Sequence, residues 1–157
     1  METMESSSQS RGLIYDEVRK LWVAATPEER VRQNLLKKMI YGLSYPRELI
    51  SVEKSLSELC MNSHLAPSRR IDIVCFAKGK GVKSSLYPLL IIECKEKADL
   101  LDEALEQVKG YNHFLKALFI AVAHPGGEVF GYPSDKGTSF LTFLPTYLDL
   151  ISAANHG

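Results

Sequence analysis

Two short and wholly apolar runs, Leu89–Ile92 and Leu118–Ala123, constrain what this chain can fold into more than any other feature of it. A half-exposed strand alternates apolar with polar residues, whereas a strand covered on both faces is apolar throughout. Both runs are predicted as strands, the first as a central one covered on both sides. Between them, Leu101, Ala104, Leu105, Val108, Tyr111 and Leu115 fall on one stripe of a helix from about Leu100 to Leu115.

The rest of the chain follows the same alternation of elements. Thr26–Pro27–Glu28–Glu29 offers a cap, a proline at the first helical position and a glutamate three residues after the cap. Val31, Leu35, Leu36, Met39, Ile40 and Leu43 continue that helix until Gly42 and Tyr45–Pro46 end it. Ile50–Leu59 alternates loosely and is predicted as a strand, as is the β-branched and aromatic run Ile71–Phe76. Weaker signals place one hairpin at Leu13–Tyr15 and Leu21–Val23, and another near Val129–Tyr132 and Phe140–Phe143. A terminal helix follows Pro145. Turn residues Asn62–Ser63 and Pro67–Ser68, and the basic connection after Phe76, separate the middle strands. The order helix, three strands, helix, strand predicts an α/β fold. It is a single domain, residues 12–157, with a central mixed β-sheet flanked by helices, behind a Ser-rich tail of residues 1–11.

Charge and cysteine content remove several function classes. Lys+Arg and Asp+Glu number 19 each in 157 residues, so bulk charge does not hold this chain on nucleic acid. A local basic face remains open, since Arg69, Arg70, Lys78, Lys80 and Lys83 flank one strand and Lys37 and Lys38 lie on the first helix. The longest apolar run is far below the roughly 18 residues a membrane span needs, and no signal peptide opens the chain, so a cytoplasmic protein without a membrane partner is expected. Cys60, Cys75 and Cys94 form no CxxC and no zinc-like spacing with histidine, and they read as small core residues in a reducing compartment.

Charged residues interrupt the apolar strands in few places. Asp72 lies inside Arg70–Val74, and Glu93 and Lys95 close the run that begins at Leu89. Side chains alternate along a strand, so Glu93 and Lys95 share a face. If the Asp72 strand pairs with this one, two carboxylates and an ammonium converge at one end of the sheet. Such a group suits a hard cation, Mg²⁺ or Mn²⁺. The chemistry that uses it is phosphodiester hydrolysis, with the metal acidifying a water while lysine positions it and balances phosphate charge. Strands also end in charged residues simply because they reach solvent, and spacing alone leaves both readings open.

Asp72, followed 21 residues later by Glu93–Cys94–Lys95 at the end of an apolar strand, resembles the signature of the PD-(D/E)xK nuclease superfamily. Gln107–Val108–Lys109–Gly110–Tyr111 is similar to the QxxxY element of its restriction and RecB-like members. More narrowly, IYDEVRKLWVAATPEERVRQ, ISVEKSL, RRIDIVCF and LLIIECK resemble the N-terminal nuclease domain of type I restriction enzyme R subunits, in a stand-alone form. The likeness runs from about Ile14 to Pro125 and implies a restriction-endonuclease-like core.

The resemblance implies a metal-dependent DNA nuclease. Asp72 and Glu93 would be metal ligands for Mg²⁺, with Mn²⁺ substituting, and Lys95 would be the catalytic lysine. Glu29 matches the first-helix glutamate that assists the metal, although it is also the third-position partner of a capping box with Thr26. Gln107 and Tyr111 share a helix face and would contact DNA or support the site, although Tyr111 also lies on the apolar stripe. Arg69 and Arg70 are candidate DNA contacts. Glu53 also matches a family position but receives no role, and a solvated strand position explains it equally well.

R subunits of type I enzymes continue into ATP-driven translocase domains, whereas this chain ends at Gly157 and carries no G-x-x-x-x-G-K-[ST] phosphate loop. ATP use and translocation are therefore not expected of it, and a protein partner or the structure of the DNA would select the target. The alternative reading is a DNA- or protein-binding module that keeps the fold without turnover.

Overall fold

In a computed structural model, which describes residues 12–59, 69–79 and 85–156, helix α1 (Pro27–Lys37) starts as its sequence dictates. Thr26 is extended and its Oγ1 accepts the Glu29 N–H at 3.1 Å, with Pro27 at the first helical position. Val31, Leu35, Leu36 and Met39 are buried beneath it, and a wide helical turn at Lys38–Gly42 ends the segment. The expected N-terminal hairpin is present as β1 (Leu13–Asp16) and β2 (Leu21–Ala24), a two-stranded sheet of its own.

The main sheet has six strands in the order β3-β4-β5-β6-β7-β8. They are β3 (Ile50–Ser55), β4 (Arg70–Lys78), β5 (Leu86–Cys94), β6 (Phe119–His124), β7 (Gly127–Ser134) and β8 (Gly137–Leu141). Neighbours run antiparallel except β5 and β6, which are parallel and joined by helix α3 (Leu101–Leu115). Parallel neighbours need such a crossover, and α3 supplies it. The sheet is therefore mixed, as the sequence predicts.

Ile50–Leu59 is not one strand. β3 stops at Ser55, and Leu56–Leu59 forms a single helical turn, α2. Ser55 and Glu58 cap that turn reciprocally: Glu58 N–H donates to Ser55 Oγ at 3.3 Å, and Ser55 N–H donates to Glu58 Oε1 at 3.0 Å. The turn signals at residues 62–63 and 67–68, most of the basic connection after β4, the tail of residues 1–11 and Cys60 lie outside the described residues.

Helices cover both faces of the sheet. On one face α1 and the C-terminal helix α4 (Tyr147–His156) enclose Ile73, Cys75, Leu90, Ile92, Ala121 and Phe130. On the other, Ala104, Val108, Tyr111 and Leu115 of α3 pack on Val74, Ile91, Ile120 and Val122. The apolar runs of β5 and β6 are thus buried on both sides, which is why they do not alternate. Cys75 and Cys94 are free, buried thiols, and burial pushes the Cys75 thiol up to about 12. Both act as core residues. Among the described residues no helix is long and apolar enough to cross a membrane.

Candidate active site

The site forms where β4 and β5 part. Their ladder runs from Lys78↔Leu86 to Ile73↔Ile92, and the next residues in register are Asp72 and Glu93. There the pairing ends, while Glu93 and Cys94 stay paired with Val122 and Ala123 of β6. The Cys94 N–H is taken by Asp72 Oδ2 at 2.8 Å. A side-chain carboxylate thus satisfies a strand N–H, and that bond holds Asp72 beside Glu93.

Asp72 and Glu93 are buried, at 6% and 4% exposure. Burial first, then the charge of Asp72, raise the Glu93 carboxyl well above its ordinary range, while Lys95 pulls it the other way. Glu93 Oε1 is buried without a hydrogen-bond partner. A buried carboxyl oxygen without a donor makes ionisation costly, and a cation relieves that cost. Lys95 lies just past β5, half-buried, with its N–H donating to Ala123 O at 2.8 Å. It therefore extends the strand by one more pairing and follows Glu93 on the same face.

The second wall comes from α1. Glu29, Arg32 and Gln33 are spaced by three and four residues, which puts them on one helical face, and all three are buried. Arg32 Nη2 donates to Glu29 Oε1 at 3.0 Å and to Glu53 Oε1 at 2.9 Å, and Arg32 Nη1 lies 3.8 Å from Asp72 Oδ1. Burial works against the charge on Arg32, and Asp72, Glu29 and Glu53 together outweigh it, raising the guanidinium above its ordinary value. Gln33 Nε2 donates to Glu29 Oε2 at 2.9 Å, and Gln33 Oε1 accepts the Glu17 N–H at 3.0 Å. The amide so ties the N-terminal hairpin to the site. Arg19 approaches Glu29 at 3.7 Å from that hairpin, held there by buried Asp16.

Glu29 therefore does not act as a capping partner. Its oxygens accept from Arg32 and Gln33, so the box with Thr26 is made on one side only. Glu28 stands next to it, half-buried, and burial followed by the charge of Asp72 raises its carboxyl while Lys95 lowers it. Glu28, Glu29, Arg32, Glu53 and Glu96 line an open cleft of about 560 Å³.

The remaining candidates distribute unevenly. Arg70 is exposed and its Nη1 donates to Glu53 O at 2.8 Å; Arg69 is exposed. Gln107 Nε2 donates to Tyr111 Oη at 2.9 Å, and Tyr111 is buried in the core beneath α3, so this pair is bonded to itself and not to Asp72 or Glu93. Lys38 is engaged by Glu128 at 2.9 Å, and Lys80 and Lys83 lie outside the described residues. Sequence reading missed Arg32, Gln33 and Glu28. The signal available was a glutamate followed by arginine and glutamine at i+3 and i+4, a polar stripe beside the apolar one. Among the described residues no three His, Cys, Asp or Glu side chains gather into a metal-holding group of their own.

The model of the type I restriction enzyme R protein N terminus matches residues 27–144, well over half of the chain. The chain belongs to that family. The matched span opens at Pro27, directly after the Thr26 cap, and takes in α1, Asp72, Glu93 and the whole six-stranded sheet. It leaves out the N-terminal hairpin that Gln33 binds. No curated protein and no solved structure matches the chain.

Proposed function

We propose that this chain is a Mg²⁺-dependent nuclease that hydrolyses phosphodiester bonds in DNA, with Mn²⁺ able to replace Mg²⁺. One observation carries the reading: Asp72 and Glu93 lie side by side where two strands part, and one Glu93 oxygen is buried with nothing bonded to it. Around them carboxylates outnumber the guanidinium and ammonium of Arg32 and Lys95, an excess of negative charge that a divalent ion offsets. Mg²⁺ commonly takes one or two carboxylates and keeps several waters, so this pair suffices without a third acid.

Asp72 and Glu93 would hold the ion. When bound, it supplies charge neutralisation at the phosphate and acidifies water. Asp72 would use Oδ1, because Oδ2 is committed to the Cys94 N–H. Glu93 must give up its proton to become a ligand, and Lys95 favours that loss. The Lys95 ammonium orients the attacking water and opposes the charge growing on the phosphoryl oxygens. Glu29 and Glu28 polarise the cleft from α1, while Arg70 and Arg69 offer exposed cations for flanking phosphates.

The test is a calorimetric titration of Mn²⁺ into the wild type and Asp72→Asn, paired with cleavage of linear, nicked, flapped and branched DNA. Binding and cleavage by the wild type alone are expected. Retained DNA binding with neither metal binding nor cleavage assigns the chain to the non-catalytic class.

A further inference from the structure

Glu53 has a left-handed backbone, φ 58°, inside strand β3. For a residue with a side chain this is a rare and strained conformation, and such residues persist where the surrounding structure holds them. The register shows where it falls. Val52 pairs with Ile73 and Lys54 with Ile71, so Glu53 lies opposite Asp72 yet drops out of the ladder. The burial alternation breaks at the same point, with Ile50 and Val52 buried before it and Ser55 and Leu56 buried after it. Arg70 pins the kink by donating to the Glu53 carbonyl at 2.8 Å.

The kink delivers the Glu53 carboxylate to a guanidinium 21 residues away in the chain. Arg32 is 4% exposed, and its Nη2 is shared between Glu53 at 2.9 Å and Glu29 at 3.0 Å. Its Nη1 and Nε are buried without hydrogen-bond partners, although Asp72 Oδ1 stands 3.8 Å from Nη1. That distance exceeds a hydrogen bond. A buried arginine this close to a carboxylate ordinarily closes onto it in a short charge-assisted bond. Here it does not.

We propose that Glu53 is a positioning residue that holds Arg32 back from Asp72, leaving Asp72 Oδ1 open to a ligand. Two acceptors on Nη2 fix both of its N–H bonds and therefore the plane of the guanidinium. With Glu29 alone, the group pivots about Nη2 and swings Nη1 onto Asp72, since no second acceptor on Nη2 holds it back. The consequence for metal binding and turnover rests on the functional reading above; the geometry does not.

Glu53→Gly isolates the carboxylate from the backbone, because glycine adopts a left-handed φ without strain. A crystal structure of the metal-free variant is expected to show Arg32 Nη1 within hydrogen-bond distance of Asp72 Oδ1, against a longer separation in the wild type. Mn²⁺ affinity by calorimetry falls at least ten-fold, and kcat falls with KM for DNA little changed. Glu53→Gln, which keeps an acceptor for Nη2, recovers most of both. An Arg32 that stays clear of Asp72 in Glu53→Gly overturns the proposal. So does a wild-type crystal in which Arg32 already bonds Asp72. If the wild type binds no Mn²⁺ and cuts nothing, the nuclease reading fails, while the two crystal structures still decide the role of Glu53.

Discussion

Asp72 Oδ2 accepts the backbone N–H of Cys94 at 2.8 Å, across the point where β4 and β5 stop pairing. One carboxylate therefore serves two purposes: one oxygen closes the sheet and the other stands 3.8 Å from Arg32 Nη1. The two purposes separate on substitution. Asp72→Asn keeps an oxygen for the Cys94 N–H, and Asp72→Ala does not. We expect the alanine variant to lose about 1–3 kcal/mol more in urea unfolding than the asparagine variant, the cost of a buried unpaired donor. Both are expected to lose Mn²⁺ binding; an asparagine variant that binds Mn²⁺ as the wild type does removes Asp72 from the ligand set.

Glu93 sets a pH dependence in the metal-free protein. Burial and the Asp72 charge raise its carboxyl from the ordinary 4.5 to about 9, so the folded state holds a proton that the unfolded chain has released. Stability from this group is intact below the unfolded value and is lost as pH rises through the folded one. With a chelator present, the stability of the wild type relative to Glu93→Gln is expected to fall between these two limits. Urea midpoints measured across that range check it. A difference that is flat or rising with pH contradicts the placement of Glu93.

Thr26 and Glu29 are adjacent in the capping motif but separate in effect. Thr26→Ala removes the bond to the Glu29 N–H and is expected to cost roughly 0.5–2 kcal/mol, with Mn²⁺ affinity unchanged. Glu29→Gln keeps one acceptor oxygen and sets its NH₂ against the donor of either Arg32 or Gln33, and Gln33 cannot reverse without losing the Glu17 N–H. A stability loss of about 1–3 kcal/mol is expected, now with cleavage reduced as well. Melting curves and cleavage rates on both variants separate the two residues; unchanged stability in Glu29→Gln contradicts the bonding described.

The sheet and its two main helices were legible because their signals are local. Leu89–Ile92 is apolar throughout, as a doubly covered strand is, and Thr26–Pro27 marks a helix start. Asp72, Glu93 and Lys95 stood out as charges on otherwise apolar strands, and β4–β5 pairing puts Asp72 beside Glu93. Ile50–Leu59 reads as one strand because its loose alternation hides a second capping box, Ser55–Leu56–Ser57–Glu58, which ends β3 early. Arg32 and Gln33 were hidden for another reason. On the helix they look like solvated positions, and their partners Glu53, Asp72 and Glu17 come from three other segments. Glu53 was equally opaque, since nothing in ISVEKSL announces a left-handed residue.

Lys95 offers the most direct test of the nuclease account. It stands two residues beyond Glu93 on the same strand face, and as a cation it is no metal ligand. Lys95→Ala should keep Mn²⁺ binding by calorimetry and keep most of its DNA affinity. Cleavage of linear, nicked, flapped and branched DNA with Mn²⁺ should fall by about a hundred-fold or more, the scale of losing about 3 kcal/mol of transition-state charge stabilisation. Cleavage by Lys95→Ala equal to that of the wild type would contradict the account.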